Sequence, residues 1–499
     1  MNRRHFAKSS LAAALAVSLA PRTSLSAILS PTMAVDADID AVAGDGASIT
    51  LKRAAVQELG DSLRGDLLLP GHPAYEDARR VINADINRHP ALIVQCKGTA
   101  DVKNAVDFAR ESNLLVAVKC GGHSHSGKST CDGGMMIDLS KLRSVRVDPN
   151  ARIAQVSGGS LLADMDHDTM AFGLVTTAGT VSHTGVGGLT LGGGYGRLAR
   201  RFGLSLDNIR GVEIITADGE FRQANAAENP DLFWGVRGGG GNFGVVTSFE
   251  FGLHPMDREV IGGTIAFPLS QAKDVLRFYA DYAMEAPDEL SLDLAMANDA
   301  TQGSSVVFLI CYSGPHDKAE PILDTLRSAG KPVFDDVKAV DYVALQKSGD
   351  ISDPRGIGSY TKSGFSAELS TRFIDAILAG FEPHPERSTT FYFQHDGGAI
   401  NRIAPDATAF PHREINLTPL VSAAWPADAD RAEHVAWARA YWATIEPFTQ
   451  GFYTNDLIDE SQEQVNRNYF GNYDRLVALK NRYDPTNLFR LNANILPTV

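Results

Sequence analysis

The chain reads as an α+β protein of two domains. Short apolar strands alternate with helical spacings from Arg88 to about His254. From about Gly262 to Pro447 longer helical stretches and strands occur in similar number, the pattern of a sheet covered on one face. Glycine makes up 46 of 499 residues, and its excess is not spread evenly along the chain. At roughly 150 residues per domain this length accommodates two or three cores. A composition of 44% hydrophobic and 21% charged residues is globular, which excludes disordered and fibrous classes. Lys and Arg total 46 against 60 Asp and Glu, a net charge of −14. Phosphate contacts need a basic face, so nucleic acid is not an expected partner. No apolar run approaches the roughly 18 residues of a membrane span.

The N-terminus, MNRRHFAKSSLAAALAVSLAPRTSLSA, has the layout of a signal peptide over residues 1–27. Arg3 and Arg4 precede an apolar stretch, Leu11 to Ala20, and Ala27 ends a site of small residues suited to cleavage. The paired arginines followed by Phe6 and Lys8 resemble a twin-arginine signal, so export to the periplasm or medium is expected. Cys96, Cys120, Cys131 and Cys311 lack any CxxC spacing and read as buried free thiols, with Cys120 and Cys131 closest in sequence.

Thr99 is placed to cap a helix whose apolar residues Val102, Ala105, Val106 and Ala109 share one face. Leu114 to Lys119, Met135 to Leu139 and Arg152 to Ser157 read as strands, and Ser160 as the cap of a helix through Met170. Gly211 to Thr216 and Phe221 to Ala224 flank the turn Ala217-Asp218-Gly219 as a hairpin. Gly244 to Phe251 is a further strand. In the second region, helices over Leu269 to Glu285, Asp317 to Ala329 and Ala427 to Glu446 alternate with strands such as Leu290 to Ala295 and Ser304 to Cys311.

Seven of the twelve residues from Gly185 to Gly196 are glycine, as are six of the ten from Gly235 to Gly244. Glycine is needed where φ is positive or where a ligand touches backbone. Bare N–H groups suit phosphate oxygens, so these clusters read as a cradle for a large, phosphate-bearing, flat ligand. Two familiar phosphate motifs match in letters and fail in context. Gly239 to Gly244 spells G-x-G-x-x-G but leads into a strand where the dinucleotide fingerprint needs a helix. Gly122 to Ser129 spells a Walker A loop but opens no helix. His123 and His125 would project to opposite sides of an extended chain, and no third ligand of matching spacing is evident, so no metal site is expected.

Four stretches carry a resemblance: Lys119 to Gly127 (KCGGHSHSG), Gly185 to Gly196 (GVGGLTLGGGYG), Asp231 to Thr247 (DLFWGVRGGGGNFGVVT) and Tyr483 to Ile495 (YDPTNLFRLNANI). In this order and spacing they resemble the berberine-bridge-enzyme-like FAD-linked oxidases, of the vanillyl-alcohol-oxidase type. The resemblance implies a PCMH-type FAD-binding domain over 40–257, completed by 455–499, and a substrate domain over 258–454 on an antiparallel sheet covered by helices. It places Gly121, Gly122, Ser124, Gly127, Thr180, Thr184, Gly187, Gly188, Gly193, Gly194, Val246 and Asn455 at the cofactor. It also implies a covalent bond from His123 to the flavin ring methyl. Relatives with a second bond carry a cysteine where this chain has Val181, so a single histidyl link is expected.

The same resemblance implies hydride transfer from a hydroxyl- or amine-bearing carbon of a small molecule, a sugar, oligosaccharide or secondary metabolite, to the flavin. Tyr453, in Tyr453-Thr454-Asn455, stands where the family's base stands, and acting at neutral pH calls for neighbours that lower its pKa from about 10. Alternation puts Tyr392, Gln394 and Asp396 on one strand face and His395 on the other, making Tyr392 and Gln394 substrate-facing candidates. Phe410-Pro411-His412-Arg413 reads as structural. Thr184 is small where the family borders the path of oxygen, which favours dioxygen as acceptor, with hydrogen peroxide as product. A dehydrogenase passing electrons to a quinone and a non-catalytic carbohydrate- or flavin-binding protein are the alternative readings, and the oligomeric state is open.

Overall fold

Alternation along the strand Leu290–Asp299 sets the architecture of the larger sheet. Leu290, Leu292, Leu294 and Met296 are fully buried under the helices Ala272–Glu285, Ala319–Arg327, Thr371–Gly380 and Arg431–Ile445, whereas Asp293, Ala295 and Ala297 face a cavity. The neighbouring strand Ser388–His395 repeats the division, Phe391 and Phe393 joining the core and Thr390, Tyr392 and Gln394 the cavity side. Ala295 pairs directly with Tyr392, so both strands present one continuous floor. This computed structural model describes residues 35–299 and 303–499; the signal sequence expected over 1–27 lies outside the described residues. Among the described residues the sheet has eight strands, running Phe334–Asp335, Glu259–Pro268, Gly303–Tyr312, Leu290–Asp299, Ser388–His395, Leu417–Trp425 and Gly358–Ser363, with Lys338–Asp341 also paired to Glu259–Pro268.

Two smaller sheets carry separate cores within the same compact unit, Val35–Val499. In one, Leu92–Gln95 and Val116–Lys119 both run parallel to Met135–Asp138. The helix Thr99–Glu111 makes the crossover that the parallel arrangement requires. In the other, Gly244–Gly252 lies between Ile209–Thr216 and Ile153–Ser157 in an antiparallel sheet of five strands. Two expected caps are corrected. Thr99 is the first helical residue after Gly98, and the chain entering that helix is held by Asp101, whose carboxylate accepts from the N–H groups of Arg64, Gly65 and Lys97. Ser160 turns its hydroxyl to the Ser144 backbone, and Asp164 reaches back to the Leu161 N–H at the start of Leu162–Met170.

The C-terminal segment returns to the smaller sheets. Leu476, Leu479 and Tyr483 of the helix Tyr473–Tyr483 share a core with Trp234 and Phe243. Lys480 and Asp484 are completely buried and bond at 2.6 Å, and Lys480 also donates to the carbonyls of Asn242 and Phe489. The Asn242 side chain holds Ile495 N–H and Ala493 O, tying the tail to the glycine-rich turn before Gly244–Gly252.

Phe410-Pro411-His412-Arg413 gains a defined role. Arg413 is buried and grips Asp207 through two 2.8 Å bonds, at 1% and 4% side-chain exposure. Removing one partner of such a pair strands a buried charge. Asp207→Ala therefore loses about 3–5 kcal/mol in urea unfolding, and the double variant Asp207→Ala/Arg413→Met recovers part of that loss. Equal stability of wild type and Asp207→Ala would show that the pair contributes nothing.

Candidate functional site

The floor of the larger sheet, the loop after Val116–Lys119 and the turn before the helix Val186–Gly192 enclose a cavity of about 1220 Å³. That exceeds the roughly 300–1,000 Å³ typical of a site for one small ligand. Gly121, Gly122, His123, Ser124, Thr180, Thr184, Gly187, Gly188, Val246 and Asn455 line it, as do Tyr453, Tyr392 and Gln394.

Gly127, Gly193 and Gly194, also expected at the cofactor, stand back from the cavity wall. They let the protein pack against itself: a Cβ on Gly127 would meet Ile86 at 2.5 Å, on Gly193 the Tyr453 ring at 2.9 Å and on Gly194 Ser205 at 2.2 Å. Gly194 is also left-handed, with φ +90°. The glycine clusters therefore do two jobs. Gly188, Gly240 and Gly241 border the cavity with open space where a Cβ would stand, whereas Gly192 would drive a Cβ to 2.1 Å from Asn455.

Tyr453 is held at its oxygen. The Gly194 N–H donates to it at 2.9 Å and the Asn455 side-chain amide at 2.7 Å, and its ring meets Tyr195 edge-on at 5.1 Å. Burial raises the Tyr453 phenol above its ordinary value, with the two donors pulling the other way. The lowered value expected from sequence is thus reversed here by desolvation.

The Tyr392 hydroxyl donates to Asp293, whose other carboxylate oxygen accepts from the His395 N–H at 2.9 Å. Burial pushes both Tyr392 and Asp293 up, so this pair keeps its proton. Tyr392 is left with lone pairs for a ligand. Gln394 faces the same space with no protein partner for its amide among the described residues. Asp396 does not join them. The strand ends at His395, and the Asp396 carboxylate turns to the Thr418 hydroxyl at 2.6 Å.

His123 and His125 do not project oppositely. The Cys120–Gly127 segment is bent, not extended, so strand alternation fails and the two rings meet edge-on at 5.5 Å. Asp353, distant in sequence, lies between them, its Oδ2 3.3 Å from His123 Nε2 and 3.2 Å from His125 Nε2. These three donors lie within 4.8 Å of one another, the third ligand that spacing does not reveal. His125 also bonds the Ser359 hydroxyl at 3.0 Å through Nδ1. Among the described residues His123 has no hydrogen-bond partner: its Nε2 is buried beside Asp353, while Nδ1 is the nitrogen that is not enclosed. Burial lowers His123 to about 3, so its imidazole is neutral. Burial opposes protonation of His125 too, but the Asp353 bond raises it. His183, 5.2 Å from His123 ring to ring, is a neighbour that no motif announces.

Known proteins similar to this chain identify its family. Residues 90–225 match the model of an FAD binding domain, and residues 453–496 match one described as berberine and berberine like. An FAD-linked oxidoreductase of Dictyostelium discoideum is 33% identical over 447 residues, covering 89% of this chain and 97% of that protein. The chain belongs to the berberine-bridge-enzyme-like FAD-linked oxidoreductases. It is an FAD-dependent enzyme of mixed helix and antiparallel sheet, as the motifs imply. Among solved structures, 6-hydroxy-D-nicotine oxidase of Arthrobacter nicotinovorans superposes with a TM-score of 0.81 at 29% identity, covering 87% of this chain and 98% of that one. A chitooligosaccharide oxidase shares the fold, with a TM-score of 0.81 at 23% identity, covering 89% and 100%.

The residues present fit the cofactor of this berberine-bridge-enzyme-like family. Open space beside Gly188, Gly240 and Gly241 admits a ligand against bare backbone, and His123 offers an unpartnered nitrogen on the same cavity. Cys120 also borders it, packed against Gly185 and Gly187, but burial pushes its thiol up to about 11. A protonated thiol is a poor nucleophile. Cys96, Cys120, Cys131 and Cys311 all stand as free thiols.

Proposed function

We propose that this chain is an exported FAD oxidase acting on a hydroxyl-bearing small molecule, a sugar, oligosaccharide or secondary metabolite, with dioxygen as acceptor. Bound FAD would supply the two-electron chemistry by which R₂CHOH and O₂ become R₂C=O and H₂O₂. The observation that carries this reading is Tyr453, whose oxygen receives two N–H donors at the wall of a cavity floored by Tyr392 and Gln394. The two donors favour a phenolate against the burial that raises this phenol, so Tyr453, once deprotonated, is the group that takes the hydroxyl proton. Tyr392 and Gln394 orient the substrate hydroxyls.

His123 holds the cofactor through one covalent bond. Its Nε2 proton faces Asp353, which leaves the lone pair on Nδ1, and Val181 supplies no second nucleophile. Thr184 borders the cavity with a small side chain, which supports access for oxygen. Arg3, Arg4 and the following apolar stretch support export.

Holoenzyme mixed without air with a panel of sugars and aromatic alcohols tests the reading. A substrate bleaches the flavin, and readmitted air restores its colour with release of hydrogen peroxide. Recovery only on adding a quinone would make the protein a dehydrogenase, and a flavin that no alcohol bleaches would overturn the proposal. Export is read by fusing residues 1–27 to a reporter, which changing Arg3 and Arg4 to lysine should retain in the cytoplasm.

A further inference from the structure

Arg197 follows the Gly192-Gly193-Gly194 bend and lines the cavity while remaining 7% exposed. Among the described residues no carboxylate comes within ion-pair distance, and no carbonyl or hydroxyl accepts from it. Its Nε is buried without a partner, whereas its terminal nitrogens are not enclosed. Nearby Arg200 shows the contrast, donating to the carbonyls of Asp396 and Ala286. A buried guanidinium left unpaired is costly, so its position in a cavity wall marks a receptor that its ligand completes.

The surroundings place this cation on the substrate side. Its positive charge favours the ionised forms of Asp293, Tyr392 and Cys311, all on the eight-stranded sheet that floors the cavity. Asp293 is already engaged by the Tyr392 hydroxyl and the His395 N–H, so it does not serve as the counter-charge. The planar fork of arginine matches a pair of anionic oxygens.

We propose that Arg197 is an anion subsite of the substrate cavity, and that the natural substrate carries a carboxylate or phosphate beside its oxidisable hydroxyl. This rests on the oxidase reading above for the hydroxyl and on Arg197 alone for the anion. Sugar acids, hydroxy acids and phosphorylated alcohols fall within the class, and neutral sugars lack the group that Arg197 would bind.

Titration of the holoenzyme with benzoate, phenyl phosphate and benzyl alcohol, read as perturbation of the flavin spectrum, tests the subsite. The wild type binds at least one of the two anions about tenfold or more tighter than benzyl alcohol, and the tighter anion identifies the source. Arg197→Gln abolishes that preference while leaving benzyl alcohol unchanged, and Arg197→Lys restores part of it. Equal binding of all three probes by the wild type overturns the proposal and requires no variant. Uniform weakening in Arg197→Gln also overturns it, as does purification of that variant without flavin, which would assign Arg197 to the cofactor. If the anions bind through Arg197 yet no alcohol bleaches the flavin, the oxidase reading fails while the subsite stands.

Discussion

Acid-precipitated wild-type protein keeps a yellow flavin on the polypeptide, and His123→Ala loses it to the supernatant. The loss is expected to be complete because the other imidazoles nearby are not available as substitutes. His125 uses both nitrogens, one toward Asp353 and one toward Ser359. His183 lies tilted against the His123 ring without lining the cavity. Among the described histidines, His123 alone combines a place on the wall, a neutral ring and a nitrogen without a described protein partner. Neutrality matters, since a protonated imidazole has no lone pair to donate. Flavin fluorescence in denaturing gels reads the result, with His125→Ala as a control that keeps the label. A yellow His123→Ala pellet would assign the bond to another residue.

Tyr453→Phe slows reduction of the flavin by substrate about 10²- to 10⁴-fold. The ring that packs against Tyr195 is preserved, so the change falls on the oxygen and its two donors. Rapid mixing without air isolates this step from reoxidation, and an unchanged rate would exclude Tyr453 as the base. The pH profile adds a second readout. Burial raises the phenol, and the reactive form is the deprotonated one, so the wild-type rate climbs toward alkaline pH. The Phe variant loses that limb.

Local pattern makes much of this molecule legible. The strand Gly244–Gly252 is readable because its residues alternate and are β-rich, and a strand at that place rules out the apparent dinucleotide fingerprint. A period of two places Tyr392 and Gln394 on one face, which holds as long as the strand lasts and fails at Asp396, one residue beyond it. The same reasoning misplaces His123 and His125 because their segment bends. Asp353 and Asp293 are illegible for a different reason. Their partners lie 228 and 99 residues away along the chain, and no periodicity within one element reports on pairing between elements. The glycine clusters are visible as composition. Which of them meets open space and which meets Ser205 or Asn455 depends on packing that only the folded chain shows.

The return of the tail to the smaller sheets has a consequence for the order of events in the cell. His123 and Tyr453 are 330 residues apart, and the turn before Gly244–Gly252 is pinned by Asn242 and Lys480 to residues as late as Ile495. A ribosome emits the His123 loop long before the stretch of chain that closes the opposite wall. Cofactor capture therefore waits for the tail that carries Lys480 and Ile495, and a nascent chain interrupted before it holds half a vessel.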